Sequence, residues 1–184
     1  MDDFRNWPGD FVDLTDEQNR WRARDVSYFR GPWDRLKKMI PDFEMVAFQL
    51  ADEGPSNSHL RMVVRQPLNQ TENPIPIATV SPKYALAAHH EVAERCMEGL
   101  VRCGVSRPDI KLELGLTELG EWMNLRLLLP ERFSMVEPSG AETALRLECF
   151  NSVDGSSRLV IVFGWIRFIC SNGLIIGDTM IEMR

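Results

Sequence analysis

Residues 110–129 read Ile-Lys-Leu-Glu-Leu-Gly-Leu-Thr-Glu-Leu-Gly-Glu-Trp-Met-Asn-Leu-Arg-Leu-Leu-Leu. Ile110, Leu112, Leu114 and Leu116 alternate with Lys111, Glu113 and Gly115, the period of two that marks a half-buried strand. Glu118-Leu119-Gly120-Glu121 has hairpin-turn chemistry. Beyond it Met123, Leu125, Leu127 and Leu129 face one way, and Trp122, Asn124 and Arg126 the other. Two such strands predict an antiparallel sheet with one apolar and one polar face. The pattern continues in residues 144–150, where Leu145, Leu147 and Cys149 point inward and Arg146 and Glu148 outward. Asp154-Gly155 signals a two-residue hairpin turn. Residues 158–169 then form the last long strand, with Gly164 marking a bulge or bend.

Upstream, residues 85–103 carry the clearest helical pattern. Val92, Cys96, Leu100 and Cys103 form one row, and Ala93, Met97 and Val101 the next, with charged residues elsewhere. Gly104 stands where a left-handed C-cap belongs. A short helix is expected over residues 32–40, with Pro32 at its first position, and strands over 44–50, 60–65 and 77–80. These elements predict an α+β fold: an antiparallel meander packed on one face by a long amphipathic helix, in two layers. Residues 1–26, polar with scattered aromatics, read as an N-terminal arm, and 27–184 as a single domain. The other sheet face, with Lys111, Glu113, Asn124, Arg126, Arg146 and Glu148, is expected to be solvated, its mixed charges pairing across strands.

Composition narrows the function classes. Hydrophobic residues make up 44% of 184, enough for a true core. The net charge of -6 disfavours a broad nucleic-acid or anionic-membrane surface but leaves room for a local basic patch. No apolar run is long enough to cross a bilayer, and the start of the chain shows no basic-then-apolar leader, so a cytoplasmic protein is expected. Cys96, Cys103, Cys149 and Cys170 include no C-x-x-C pair and read as reduced core residues. Phosphate-loop, dinucleotide and zinc-type spacings are absent, and adjacent His89 and His90 would diverge on a helix, so no cofactor or metal is expected.

The most distinctive stretch is residues 151–173. Asn151-Ser152-x-Asp154-Gly155-Ser156, followed by Arg167-Phe168-x-Cys170-x-Asn172-Gly173, resembles the phage/plasmid-like proteins of domain-of-unknown-function family 932. Val80-Ser81-x-x-Tyr84 is similar to a further element of that family, so the resemblance covers about residues 60–184. Val153 departs from it, since family members often have His there. Members also usually continue past the Asn-Gly motif, which implies that this chain is a short or truncated member. The resemblance implies a cytoplasmic protein of bacterial or phage mobile elements, and it assigns no reaction and no catalytic residue.

From the residues themselves two functions are open. The first is a non-enzymatic binding protein acting on nucleic acid or a host protein. Trp122, Arg126, Arg146, Arg158 and Trp165 would give a sheet face cations and stacking rings. Asn151, Asp154, Ser156, Arg167 and Asn172 are the candidate binding residues of the distinctive stretch. The second is a small enzyme in which Asp154, Ser156, Arg167 and Cys170 converge on one pocket. Turn and strand chemistry explains most of these side chains without either. Arg167, a charge in an otherwise apolar strand, needs a carboxylate, carbonyl or phosphate partner. The oligomeric state is left open.

Overall fold

The computed structural model describes residues 12–13, 26–49, 54–136, 138, 140, 142–167 and 174–183, with backbone alone for 12–13, 142, 166–167 and 174–183. Most of the arm over residues 1–26 therefore lies outside the described residues, as does the turn holding Cys170 and Asn172. The described chain is mostly antiparallel sheet with few, short helices. Its strands are β1 (Val12–Asp13), β2 (Val26–Arg30), β3 (Phe43–Ala47), β4 (Arg61–Arg65), β5 (Ile75–Val80), β6 (Lys111–Thr117), β7 (Trp122–Leu128), β8 (Met135–Val136), β9 (Glu142–Ser152), β10 (Leu159–Arg167) and β11 (Leu174–Met183). The α-helices are α1 (Trp33–Leu36), which runs on into a 3₁₀ turn, and α2 (His89–Arg102).

The strands form two sheets. The main one has the order β1-β2-β6-β7-β9-β10-β11, with β8 added beside β9. The small one is β3-β4-β5. In the β6–β7 hairpin Leu114 pairs with Leu125 and Glu113 with Arg126, which is the register the alternation predicts. Gly120 closes the turn at φ +72°. Its amide donates to Thr117 O at 2.9 Å. The Pro41 ring lies against it, so close that a Cβ there would come within 2.6 Å.

The 14-residue helix α2 is the longest among the described residues, and its buried apolar residues share one cluster with the main sheet. Val92, Ala93, Cys96, Met97 and Leu100 join Leu112, Leu114, Leu125, Leu127 and Leu147 there. Gly104 takes φ +84°. Its amide donates to Val101 O at 2.9 Å, and the Val105 amide reaches back to Leu100 O at 3.1 Å. These two bonds are the Schellman closure, and buried Val105 packs in the cluster with Leu100.

Several expectations change. The helix begins at His89, not 85, because Ala88 is extended (ψ 132°) and the preceding residues are held by tertiary contacts. Leu86 packs in a second cluster with Val63, Val80 and Val153, and Ala87 O accepts from the Asn151 amide. Strand β9 runs on through Asn151 and Ser152, which are therefore sheet residues rather than turn residues. The β9–β10 connection then takes the six residues 153–158, so Asp154-Gly155 is not a two-residue turn. Gly155 alone in that connection has positive φ, +78°, while Asp154 caps locally by accepting the Ser156 amide at 2.9 Å. Gly164 is no bulge. It pairs regularly with Arg146 and Gly177, and the irregularity falls between Ile161 and Val162, where β11 carries an extra residue, Met180. Strand β11 itself was not anticipated, since its apolar residues follow no clean alternation.

The polar sheet face is also not solvated. Glu113, Asn124 and Glu148 are only 2%, 0% and 3% exposed, and Arg30 joins them at 5%.

Candidate functional site

Direct cross-strand pairing puts Arg30 opposite Glu113, Glu113 opposite Arg126, and Arg126 opposite Glu148. One row across β2, β6, β7 and β9 thus alternates cation and carboxylate. The contacts follow the register. Arg30 donates to Glu113 at 3.1 Å, Arg126 donates to Glu113 and, at 2.9 Å, to Glu148. Arg146, two residues from Glu148 on the same strand face, donates to it at 2.5 Å. Asn124 adds a bond to Glu148 at 2.9 Å. Tyr28 lies over Gly115, where a Cβ would come within 2.6 Å of its ring. The Arg126 guanidinium sits 5.2 Å from the centre of that ring.

Burial alone would raise the Glu148 carboxyl, but Arg126 and Arg146 outweigh it and hold the group below its ordinary value. For Arg126 burial opposes the charge, and Glu148 and Glu113 more than restore it. Arg146 is different. Burial lowers its value, neighbouring Arg126 lowers it further, and Glu148 only partly compensates. Three arginines share two carboxylates here, and Arg146 is the least well paired.

A second polar centre joins the sheets. His89, 1% exposed, places Nε2 3.0 Å from Gly120 O and Nδ1 2.8 Å from the Asn151 amide. Asn151 also donates to Ala87 O at 2.8 Å. The carbonyl requires Nε2 to donate and the amide lets Nδ1 accept, so the ring is neutral. Burial pushes it from its ordinary 6.5 down to about 4. Phe43 of the small sheet meets the ring edge-on, with centroids 5.6 Å apart. His90 turns away, its Nε2 lying 2.9 Å from Ile40 O. Among the described residues no group of three or more His, Cys, Asp or Glu is placed to hold a metal ion.

The distinctive motifs meet here. Tyr84 bonds to Ser152 O at 3.3 Å, and burial followed by the nearby Asp154 charge raises its hydroxyl value. Val153 is fully buried with Val63 and Val80. Ser152 Oγ donates to Ser157 O and accepts from Ser157 N, both at 2.9 Å. Asn151 and Ser152 are thus internal ties, and Asp154 and Ser156 sit together on the loop. Arg167 is not brought to them. It ends β10, opposite Thr143 and Leu174. The loop precedes the other end of this nine-residue strand, about 26 Å away by strand rise. The Arg167 side chain, Cys170 and Asn172 lie outside what is described.

Of the residues expected on one nucleic-acid face, Trp122, Arg126 and Arg146 do share a face. Trp122 packs near Phe150 with ring centroids 6.1 Å apart. Trp165 does not join them. Its register partner is Leu145, whereas Arg146 faces Gly164, so Trp165 points to the face of the apolar core. Arg158 is exposed in the 153–158 connection. Sequence reasoning missed Arg30, Tyr28 and the His89–Asn151 tie. Arg30 and Tyr28 lie in a five-residue strand with too little pattern to assign, although alternate Val26, Tyr28 and Arg30 share one face.

Residues 76–184, more than half of the chain, match a family described as Domain of unknown function (DUF932). The chain belongs to this family. The DUF932 region begins within β5 and takes in α2, the strands β6–β11 and both polar centres except Arg30 and Tyr28. No curated protein and no solved structure matches the chain. No helix among the described residues is long and apolar enough to cross a membrane.

Proposed function

We propose that this DUF932 chain is a non-catalytic binding protein of phage or plasmid mobile elements, acting on nucleic acid. The observation that carries this is the Trp122–Phe150 aromatic pair, half-buried on the same sheet face as Arg126 and Arg146. Rings beside guanidinium groups suit stacked bases and a phosphate backbone, even in a chain of net charge -6. Exposed Arg158 adds a cation, while Trp165 drops out of the reading because of its strand register. A host protein is the other outcome of the test. In this reading α2 is the cover of the apolar sheet face, making two layers, and recognition falls to the half-buried Trp122–Phe150 part of the opposite face, whose charged row is itself buried. The cytoplasm suits free Cys96, Cys103 and Cys149.

Fluorescence anisotropy with labelled single-stranded and duplex DNA at two salt concentrations tests this. Saturable binding that weakens with salt, and weakens further in Trp122→Ala, is expected. No salt-sensitive binding up to tens of micromolar protein removes nucleic acid as the ligand.

A further inference from the structure

The charged face of the main sheet is buried well beyond its ion pairs. Tyr28 and Asn124 are fully buried, and Val26 and Leu128 are 2% and 5% exposed. Val26 opens β2 and Leu128 ends β7, at opposite corners of this face and outside the charged row. Arginine stems can shield apolar neighbours within the row, but not both corners at once. Apolar side chains on an open sheet face stay partly in water, so this face carries a further layer. Helix α2 and the small sheet do not supply it, since their clusters take Leu112, Leu114, Leu125 and Val153 from the opposite face. Among the described residues the cluster on this face holds Val26, Tyr28 and Trp122 alone. Tyr28, Arg30 and Lys111 also make contacts besides those given above.

We propose that this face is a docking surface for the chain's own N-terminal segment, residues 1–11. Charge selects it. Where β2, β6, β7 and β9 lie side by side, the cations Arg30, Lys111, Arg126 and Arg146 share the face with only Glu113 and Glu148. Residues 1–11 carry Asp2, Asp3 and Asp10 against the single cation Arg5, which complements that excess. Phe4, Trp7 and Phe11 supply apolar surface for Val26, Tyr28 and Leu128. The point of departure fits as well. Val12 of β1 stands opposite Arg30, so the segment leaves the sheet beside the charged row. Eleven residues reach about 37 Å when extended, whereas β9 lies four strand spacings from β1, about 19 Å. The half-buried pair Trp122 and Phe150 marks where the cover stops. The docking is a property of the free chain and stands whether or not nucleic acid binds.

The test uses the full chain and a water-soluble carbodiimide, which joins a carboxylate to an amine only where the two touch. Tryptic peptides are then read by mass spectrometry. The lysines are Lys37, Lys38, Lys83 and Lys111, and Lys111 alone stands on this face. A cross-link from Lys111 to Asp2, Asp3 or Asp10 is expected, and it should vanish in Lys111→Arg, which keeps the charge. A second measurement needs no cross-link. With Asp2→Asn, Asp3→Asn and Asp10→Asn combined, Lys111 should be acetylated about tenfold faster or more, while exposed Lys83 reacts at an unchanged rate. Cross-links from Lys111 to Asp16, Glu17 or Asp25 would give the face to the residues between β1 and β2. Cross-links between isotopically distinct chains would give it to a second copy. Either result overturns the proposal, as does the absence of any cross-link from Lys111 to residues 1–11 or an unchanged acetylation rate.

Discussion

On one face of the main sheet Leu114, Leu125 and Cys149 stand side by side; one residue earlier on β6 and β9, and one later on β7, Glu113, Arg126 and Glu148 do the same. Both rows are buried, yet they are held differently. The apolar row gains from removal from water and close contact, which tolerate any partner of the right shape. The charged row must recover the cost of dehydrating each ion through its exact neighbours, so it specifies register. A slip of one residue would bring carboxylates and guanidiniums into the leucine layer. The apolar face makes the sheet stable, and the charged face makes one alignment of four strands the acceptable one.

The largest effect is expected from breaking the charged row at its most shared member. Glu148→Leu strands Arg146 in a buried site and leaves Arg126 with Glu113 alone, and should cost about 3–5 kcal/mol, read from the urea midpoint. A loss under about 1 kcal/mol would mean that those arginines are solvated in solution. The matching break on the apolar face is Leu125→Ala, at a fully buried position. It should cost about 2–5 kcal/mol, and the cost should not change between low and high salt. A salt-dependent loss there would erase the contrast between the faces.

Acid sharpens the comparison at the edge of the sheet. The folded His89 value is depressed from 6.5 to about 4, so the unfolded chain binds the extra proton between those values. Stability is therefore full above pH ~6.5 and falls as pH drops toward ~4, by about 3 kcal/mol in all. His89→Gln should flatten the urea-stability profile in that window, and an unchanged slope would place the acid sensitivity elsewhere. Glu148 acts lower, its stabilisation being present above the ordinary carboxylate range and lost as pH falls through its depressed value.

A smaller effect tests packing on the charged face without touching charge. Gly115→Ala drives a methyl into the Tyr28 ring and should cost about 1–3 kcal/mol by thermal or urea unfolding. The smallest lies outside both rows. Asp109→Asn loosens an exposed pair with Arg132 and should shift stability by under about 0.5 kcal/mol.

Much of this was open to reading from local pattern. The β6–β7 hairpin, the inward set Leu145, Leu147 and Cys149, and the Gly104 cap depend on residues a few positions apart, where period and φ preference act directly. The start of α2 was misplaced because Asn151, 64 residues from Ala87, competes for its carbonyl. The loop motif was over-read as a tight turn because Asn and Ser favour turns locally, whereas here Ser152 and Asn151 satisfy partners brought in by the fold.

The sequence by itself determined the family, the alternation of the central strands and the pairing of opposite charges at matched positions, because each is encoded in neighbouring side chains. Only the tertiary structure decided that the polar face is buried, that Trp165 and Arg146 lie on opposite faces, and that Arg146 stands between Leu128 and Gly164. Those outcomes depend on which strand lies beside which and in what register, and the register is set by contacts between residues far apart in the chain.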